Sequence, residues 1–211
     1  MEPFFIGPIA AWSHPAASKK AKARVLLIHG ITEHSGRHGN TIRYLTEHGF
    51  AVVRFDLRGA GRSGGRRQWI ETFDDYVDDA IAAFNWICRT EADLPLFVMG
   101  HSLGGAIAVH FAALYDRAFH GLVLSAPAFR LGSAISPLTI AAGRILARVA
   151  PAFPLPRAAD SGWVSREPEV IKAYENDPLT CHHNTFQQGA EILKALDHMR
   201  CYDSALLRAG P

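Results

Sequence analysis

The pentapeptide Gly100-His101-Ser102-Leu103-Gly104 is the part of this chain best suited to covalent chemistry. It follows the apolar run Leu96-Phe97-Val98-Met99 and opens onto the small-residue stretch Gly105-Ala106-Ile107-Ala108-Val109. A serine in Gly-x-Ser-x-Gly, set between a strand and a helix, sits on a sharp turn that exposes its oxygen at the end of a sheet. Glycines flank it because Cβ atoms there would crowd the neighbouring strand and helix. The spacing predicts Ser102 as a nucleophile at the positive end of a helix, where developing negative charge is favoured. A glycine-rich turn that merely happens to hold a serine is the competing reading, and the flanking elements weigh against it.

Acyl transfer also needs two donors aimed at the substrate carbonyl oxygen, and backbone N–H groups supply them without reorganisation. The residue after the nucleophile, Leu103, provides one. The other is expected from the loop after the first strand, where His29-Gly30-Ile31 places the amide of Ile31. His29 itself reads as a packed structural histidine rather than a base. After the second strand comes Asp56-Leu57-Arg58-Gly59-Ala60-Gly61-Arg62-Ser63-Gly64. Its glycines suit a tight loop at the carboxyl end of a parallel sheet, where sites of this architecture gather. A phosphate-binding loop would need a Lys-Ser/Thr pair that is absent. Asp56 and Arg58 are expected to hold the loop by polar contacts.

These pieces need a scaffold, and the periodicity supplies an α/β one. Residues 25–28, 51–55, 96–99 and 122–124 read as buried strands, and residues 42–48, 73–84 and 103–115 as helices. Thr72 and Asp75 resemble a capping box for the second of these helices. Alternation of this kind predicts a mostly parallel sheet with helices on both faces. The rhythm stops after Ser125-Ala126-Pro127, which sets a core at 1–127 and a helical cap or lid at 128–211. In the cap, Leu138, Ala142, Ile145 and Val149 share one helical face, with Arg144 and Arg148 on another. That face either packs on the sheet or is a lid turned toward lipid.

Bulk properties narrow the function. A formal charge of +2 and no cluster of Lys and Arg argue against nucleic acid as a partner. Three cysteines, Cys88, Cys181 and Cys201, are too few and scattered for a disulfide framework or a zinc site, which suits a reduced, cytoplasmic setting. The N-terminus lacks the basic region of a signal peptide. Arg144 and Arg148 interrupt the apolar region 131–150 and disfavour a membrane span.

His29-Gly30-Ile31-Thr32-Glu33-His34-Ser35-Gly36-Arg37, the loop 56–64 and Gly100-His101-Ser102-Leu103-Gly104-Gly105 together resemble the monoacylglycerol lipase/lysophospholipase group of the α/β-hydrolase superfamily, of the serine aminopeptidase S33 type. The resemblance runs from about residue 24 to 127. It continues loosely through the cap, where Asn176-Asp177-Pro178-Leu179 is similar to a recurring element. It implies a small lipid ester as substrate, Ser102 as nucleophile, and the Ile31 and Leu103 amides as the oxyanion hole, with no metal or organic cofactor. It also implies that Glu33 and Arg37 lie near the substrate's polar head. An ion pair that stabilises the loop is the alternative for those two.

A serine nucleophile needs a histidine to take its proton and an acid to orient that histidine. In this fold both follow the serine in chain order, and the resemblance places them beyond the cap, after two more strands. The chain stops at Leu207-Arg208-Ala209-Gly210-Pro211, where the next strand would begin, so acid and base are expected to be missing from it. His101, the neighbours Asp197 and His198, the pair His182-His183 and Asp203 are the local substitutes, and each reads as a surface or capping residue. The strand at 122–124 is then expected to be an uncovered edge. Two functions remain: a serine ester hydrolase, completed by a complementing C-terminal segment, or a catalytically incomplete fragment that binds lipid or a partner.

Overall fold

A computed structural model gives the fold and describes residues 1–90, 94–114, 119–130, 136–156 and 164–199. Tyr115, residues 131–135, Cys201, Asp203 and the chain end 207–211 lie outside the described residues.

Six strands form one sheet in the order β1-β2-β4-β3-β5-β6. At its centre β3 (Ala23–Ile28) runs parallel to β4 (Phe50–Phe55) on one side and β5 (Leu96–His101) on the other. Beyond β5, β6 (Gly121–Ser125) continues the parallel set, with Gly100 opposite Leu124. Every residue of β3 is buried, as expected of a strand covered on both faces. The sheet extends further toward the N-terminus than the periodicity indicated. β1 (Phe4–Ile6) and β2 (Ile9–His14) form an antiparallel hairpin, and β2 pairs antiparallel with β4. Ile9-Ala10-Ala11-Trp12 is buried without alternation, so it carries no period-2 signal. Gly7, at φ 57, opens the two-residue turn where a hairpin of this length favours glycine. Arg24 belongs to β3 and is buried, its guanidinium donating to the carbonyls of Ile87 and Leu94.

Alternating side chains of the central strands feed two cores. Leu26, Ile28, Val53 and Phe55 face α2 (Asp74–Thr90) and α3 (Leu103–Leu114), while Val25, Leu27 and Val52 face Ile42 of α1 (Gly39–Glu47). Helix α3 is apolar all round and buried from Leu103 to Phe111, the signature of a helix enclosed in a core. Phe55 and Phe111 are fully buried, each contributing on the order of 2 kcal/mol by transfer from water. At the start of α2 the Asp75 carboxylate accepts from the N–H groups of Glu71 and Thr72, which is the backward-reaching half of a capping box.

The cap holds α4 (Pro137–Val149), α5 (Pro168–Glu175) and α6 (Phe186–Met199). It is not wholly helical: β7 (Pro154–Pro156) and β8 (His183–Thr185) form a small antiparallel ladder with Leu155 opposite Asn184. Strands of three residues, one with prolines at both ends, are too short to read from a pattern. Helix α4 packs on α6, and Arg144 donates to Asp197 at 2.8 Å. Its predicted apolar face points outward, with Leu138, Ile145 and Val149 at 79%, 59% and 72% exposure, so it does not pack on the sheet. Among the described residues β6 pairs only with β5, and Val123 and Leu124 are partly exposed there.

Candidate active site

Three close backbone approaches shape the turn at Ser102. A Cβ on Gly100 would strike the Gly104 carbonyl, one on Gly104 would strike the Ile28 carbonyl, and one on Gly105 would lie 2.8 Å from Pro127. Only glycine permits that packing of β5, β3 and α3. Ser102 itself adopts φ 52, a left-handed conformation that costs a non-glycine residue about 1–2 kcal/mol. Hydrogen bonds hold it there. Its N–H donates to the Ser125 carbonyl at 3.0 Å, and its carbonyl accepts from the N–H groups of Gly105 at 2.9 Å and Ala128 at 3.0 Å. The side chain is half-buried at the carboxyl end of the sheet rather than interior.

The loop after β3 passes directly against this turn. A Cβ built on Gly30 would lie 3.2 Å from Ser102 Cβ and 2.9 Å from Glu33 Oε1. Leu103 is the first residue of α3, so its N–H has no acceptor within the helix. No acceptor for the Ile31 N–H is found among the described residues. Gly30, the residue before Ile31, thus packs against Ser102, and Leu103 follows the serine as the first residue of α3.

Glu33 and Arg37 are brought together as an ion pair at 3.4 Å, with both side chains largely buried. Glu33 Oε1 also accepts from the Gly30 N–H at 2.6 Å and from His38 Nε2 at 3.1 Å. Burial alone would push this carboxyl up. The hydrogen bond from His38, the fields of the His29 and His38 rings and the hydrogen bond from the Gly30 N–H together outweigh it and hold the group at about 2. Arg37 stacks its guanidinium 4.3 Å over the Tyr174 ring. Both residues thus brace the loop through protein contacts.

Asp56 is fully buried and ties this loop to the next. Its Oδ1 accepts from the N–H and the hydroxyl of Ser35, and its Oδ2 accepts from the Arg62 N–H. Arg58 forks onto Asp79 and reaches Asp75 at 2.6 Å, which anchors the same loop on α2. His29 is enclosed: the Leu57 N–H donates to its Nε2 at 3.0 Å, and its Nδ1 lies 2.7 Å from the Gly30 carbonyl. Burial holds its pKa below the usual imidazole value.

No histidine is hydrogen-bonded to Ser102 Oγ among the described residues. His101 faces Ser125 Oγ at 3.3 Å and sets its ring edge against His38. His182 lies edge-on to Tyr174, and Asp197 is engaged by Arg144. His198 lines a cleft of about 190 Å³ with His110, Asp74 and Lys194, on the α2, α3 and α6 side. Among the described residues no group of three His, Cys, Asp or Glu could hold a metal ion.

Sequence reasoning missed the fastening of this loop to the cap. His34 Nε2 donates to Asp177 at 2.8 Å, Thr32 Oγ1 lies 3.2 Å from the Tyr174 hydroxyl, and the Cys181 N–H donates to the Thr32 carbonyl at 2.9 Å. The motifs around His34 and Asp177 were both visible. Their pairing was not, because nothing local links them.

Comparison with known proteins gives the family. The chain is 36% identical over 172 residues to a monoacylglycerol lipase of Mycolicibacterium smegmatis, covering 82% of this chain and 60% of that relative. It is 33% identical over 162 residues to the monoglyceride lipase of Rattus norvegicus, covering 76% and 53% respectively. The chain thus spans little more than half the length of these curated relatives. Among solved structures, the monoacylglycerol lipase of Paleococcus ferrophilus superposes with a TM-score of 0.76 at 28% identity, over 90% of this chain and 70% of that one. The profile described as serine aminopeptidase S33 matches residues 19–206, so the chain belongs to that family of α/β hydrolases.

Proposed function

We propose that this chain carries the nucleophile and oxyanion hole of a serine ester hydrolase acting on monoacylglycerol-like lipids. The observation that carries the reading is Ser102 at φ 52, with the Gly30 loop packed against it. Ser102 Oγ attacks the ester carbonyl, and the oxygen that becomes negative settles between the N–H groups of Ile31 and Leu103. The alcohol leaves, and water then releases the fatty acid from the acyl-enzyme. No cofactor enters this sequence. The names of the relatives support the lipid ester as substrate class.

Proton transfer requires a base and an orienting acid, and a complementing C-terminal segment would supply both. Their loss costs on the order of 10⁶ in turnover, because triad members act as a unit. The outward apolar face of α4 supports peripheral contact with a lipid surface from the cytoplasmic side. Among the described residues no helix is long and apolar enough to cross a membrane.

The test uses a fluorophosphonate probe and p-nitrophenyl esters. The chain alone should label slowly, at Ser102 only, and the complemented form should turn over esters. Full activity in a Ser102→Ala form would overturn the assignment. A complemented form that binds lipid without turnover would leave only a binding fragment.

A further inference from the structure

The loop after β4 runs through Arg66-Arg67-Gln68-Trp69, and the fold treats these four side chains unequally. Gln68 is buried at φ 52, its carbonyl accepting from Thr185 Oγ1 at 2.6 Å and its Oε1 from Gln188 Nε2 at 3.1 Å. The cap therefore clamps the backbone of this segment. Arg66 and Arg67, just before the clamp, are exposed, and no carboxylate pairs with either among the described residues. Neighbouring acids are engaged elsewhere: Glu2 lies 3.9 Å from Arg62, and the Glu71 carboxylate accepts from the Trp69 indole N–H at 2.8 Å. The Arg66 guanidinium lies 4.4 Å over the half-buried Trp69 ring.

Glu71 also joins this loop to the cap. Its carbonyl accepts from Gln187 Nε2 at 2.9 Å, and the Gln187 N–H donates to the Pro151 carbonyl at 3.0 Å, in the turn that follows α4. Beside that turn Val149 and Phe153 are 72% and 63% exposed. One glutamine thus connects a basic, tryptophan-bearing loop of the core to the apolar outer edge of the cap. A phospholipid surface carries both chemistries in layers, phosphates above acyl chains, with tryptophan favoured at the boundary. Guanidinium groups fork onto phosphate, and an anionic leaflet attracts exposed arginines. Adsorption grows with apolar area and with that attraction together. We propose that Arg66 and Arg67 are the headgroup-binding half of a two-part docking surface, which selects anionic over zwitterionic phospholipid membranes. The inference rests on the lipid-facing reading of α4, and it adds a contact from the core and a preference for charge.

The test co-sediments the whole chain with vesicles of phosphatidylcholine alone and of phosphatidylcholine mixed with phosphatidylglycerol. Wild type should prefer the mixed vesicles, and the preference should fade between about 0.1 M and 1 M salt, as the screening length falls from about 10 Å to 3 Å. Each arginine near an anionic surface is worth about fivefold in binding. The double variant Arg66→Gln/Arg67→Gln should therefore lose about 25-fold on mixed vesicles and little on phosphatidylcholine, with an unchanged urea midpoint, since both side chains are exposed. Arg66→Lys/Arg67→Lys, which keeps the charge, should retain most of the preference. Ile145→Glu/Val149→Glu should instead weaken binding to both kinds of vesicle, which separates the two halves of the surface. Arg43→Gln/Lys19→Gln removes the same charge from other exposed positions and should cost far less; an equal loss would make net charge the cause and overturn the proposal. Wild-type binding that is the same on both vesicles also overturns it and leaves the α4 reading standing, whereas binding to neither sinks both. Heparin retention lost in Arg66→Gln/Arg67→Gln, with vesicle binding intact, would assign the arginines to a soluble polyanion and overturn it as well.

Discussion

His34 Nε2 donates to Asp177 Oδ2 at 2.8 Å, joining residues 143 apart in sequence. The Gly36 N–H donates to His34 Nδ1, so Nε2 carries the proton that meets the carboxylate. With the Thr32 contacts to Tyr174 and Cys181, this bond fastens the loop that holds Ile31 to the segment after α5. A shift of that segment would therefore reach Ile31 through its chain neighbour Thr32.

Removing the carboxylate should loosen the cap before it harms the sheet. Asp177→Ala is expected to cost about 1 kcal/mol, the usual worth of a partly buried hydrogen bond, and to speed amide exchange at Cys181. Asp177 lies below the usual carboxylate range: burial raises it, but the His34 and Leu179 N–H bonds lower it further. A carboxyl with a depressed folded pKa stabilises above its unfolded pKa and loses that contribution as pH falls. The melting difference between Asp177→Ala and wild type should accordingly shrink on acidification. A difference that grows would contradict the pairing.

Glu33 gives a sharper pH signature. Its carboxyl sits at about 2 against an ordinary value of 4.5, so the stability it contributes is complete above pH 4.5 and disappears as pH falls toward 2. Glu33→Gln should be less stable than wild type at pH 7 and should converge with it in acid. Urea midpoints measured from pH 7 to 3 test this. Parallel midpoint curves would show that the carboxylate is not charged in the folded loop.

Gly104 faces the Ile28 carbonyl with no room for a Cβ. Gly104→Ala must push α3 away from β3 or displace the turn, at about 1–3 kcal/mol. Gly143, in the exposed part of α4, has no heavy atom within 4 Å of a built Cβ. Gly143→Ala should instead stabilise slightly, by about 0.5–1 kcal/mol, as glycine in a helix interior ordinarily does when replaced. Chemical denaturation of the two variants should give shifts of opposite sign.

The sequence made the central architecture legible because its signals were local. Short buried runs at β3, β4 and β5, the glycines around Ser102 and the periodicity of α2 each declare themselves within a dozen residues. The loop after β3 was singled out by the same means, and its Gly30 packs against Ser102. The N-terminal hairpin was not, since Ile9-Ala10-Ala11-Trp12 is buried on both faces and too short to show a period. The His34–Asp177 and Thr32–Tyr174 contacts were illegible for another reason: they depend on how the cap lies over the loop, which no pattern in either segment encodes. Glu33 and Arg37 were seen as a pair. Only the geometry showed the Glu33 carboxylate turned toward the Gly30 N–H.

Helix α4 was readable as amphipathic but not as to which way its apolar side would face. With Ile145 59% and Val149 72% exposed, a charge at either position meets water rather than the core. Ile145→Glu and Val149→Glu should leave stability within about 0.5 kcal/mol. If this face adsorbs to lipid, the same changes should weaken co-sedimentation with phosphatidylcholine/phosphatidylglycerol vesicles, with the double variant weakest. A melting loss of several degrees would place the face in a packed interface instead. Unchanged vesicle binding would remove lipid as its partner.

Ser102 offers a test in which stability and chemistry must move in opposite directions. At φ 52 the serine holds a conformation disfavoured by about 1–2 kcal/mol, and glycine holds it freely. Glycine also adds entropy to the unfolded chain, worth about 0.5–1 kcal/mol against the folded state. The balance leaves Ser102→Gly more stable than wild type by about 0.5–1 kcal/mol, while fluorophosphonate labelling is abolished. Ser102→Ala removes the same hydroxyl but keeps the Cβ and the strain, so it should lose labelling without the gain in stability. The contrast between the two isolates the backbone contribution from that of the oxygen. Equal urea midpoints for Gly and Ala would mean that the turn is relaxed at Ser102, and that the nucleophile is not held in place by strain stored in the backbone.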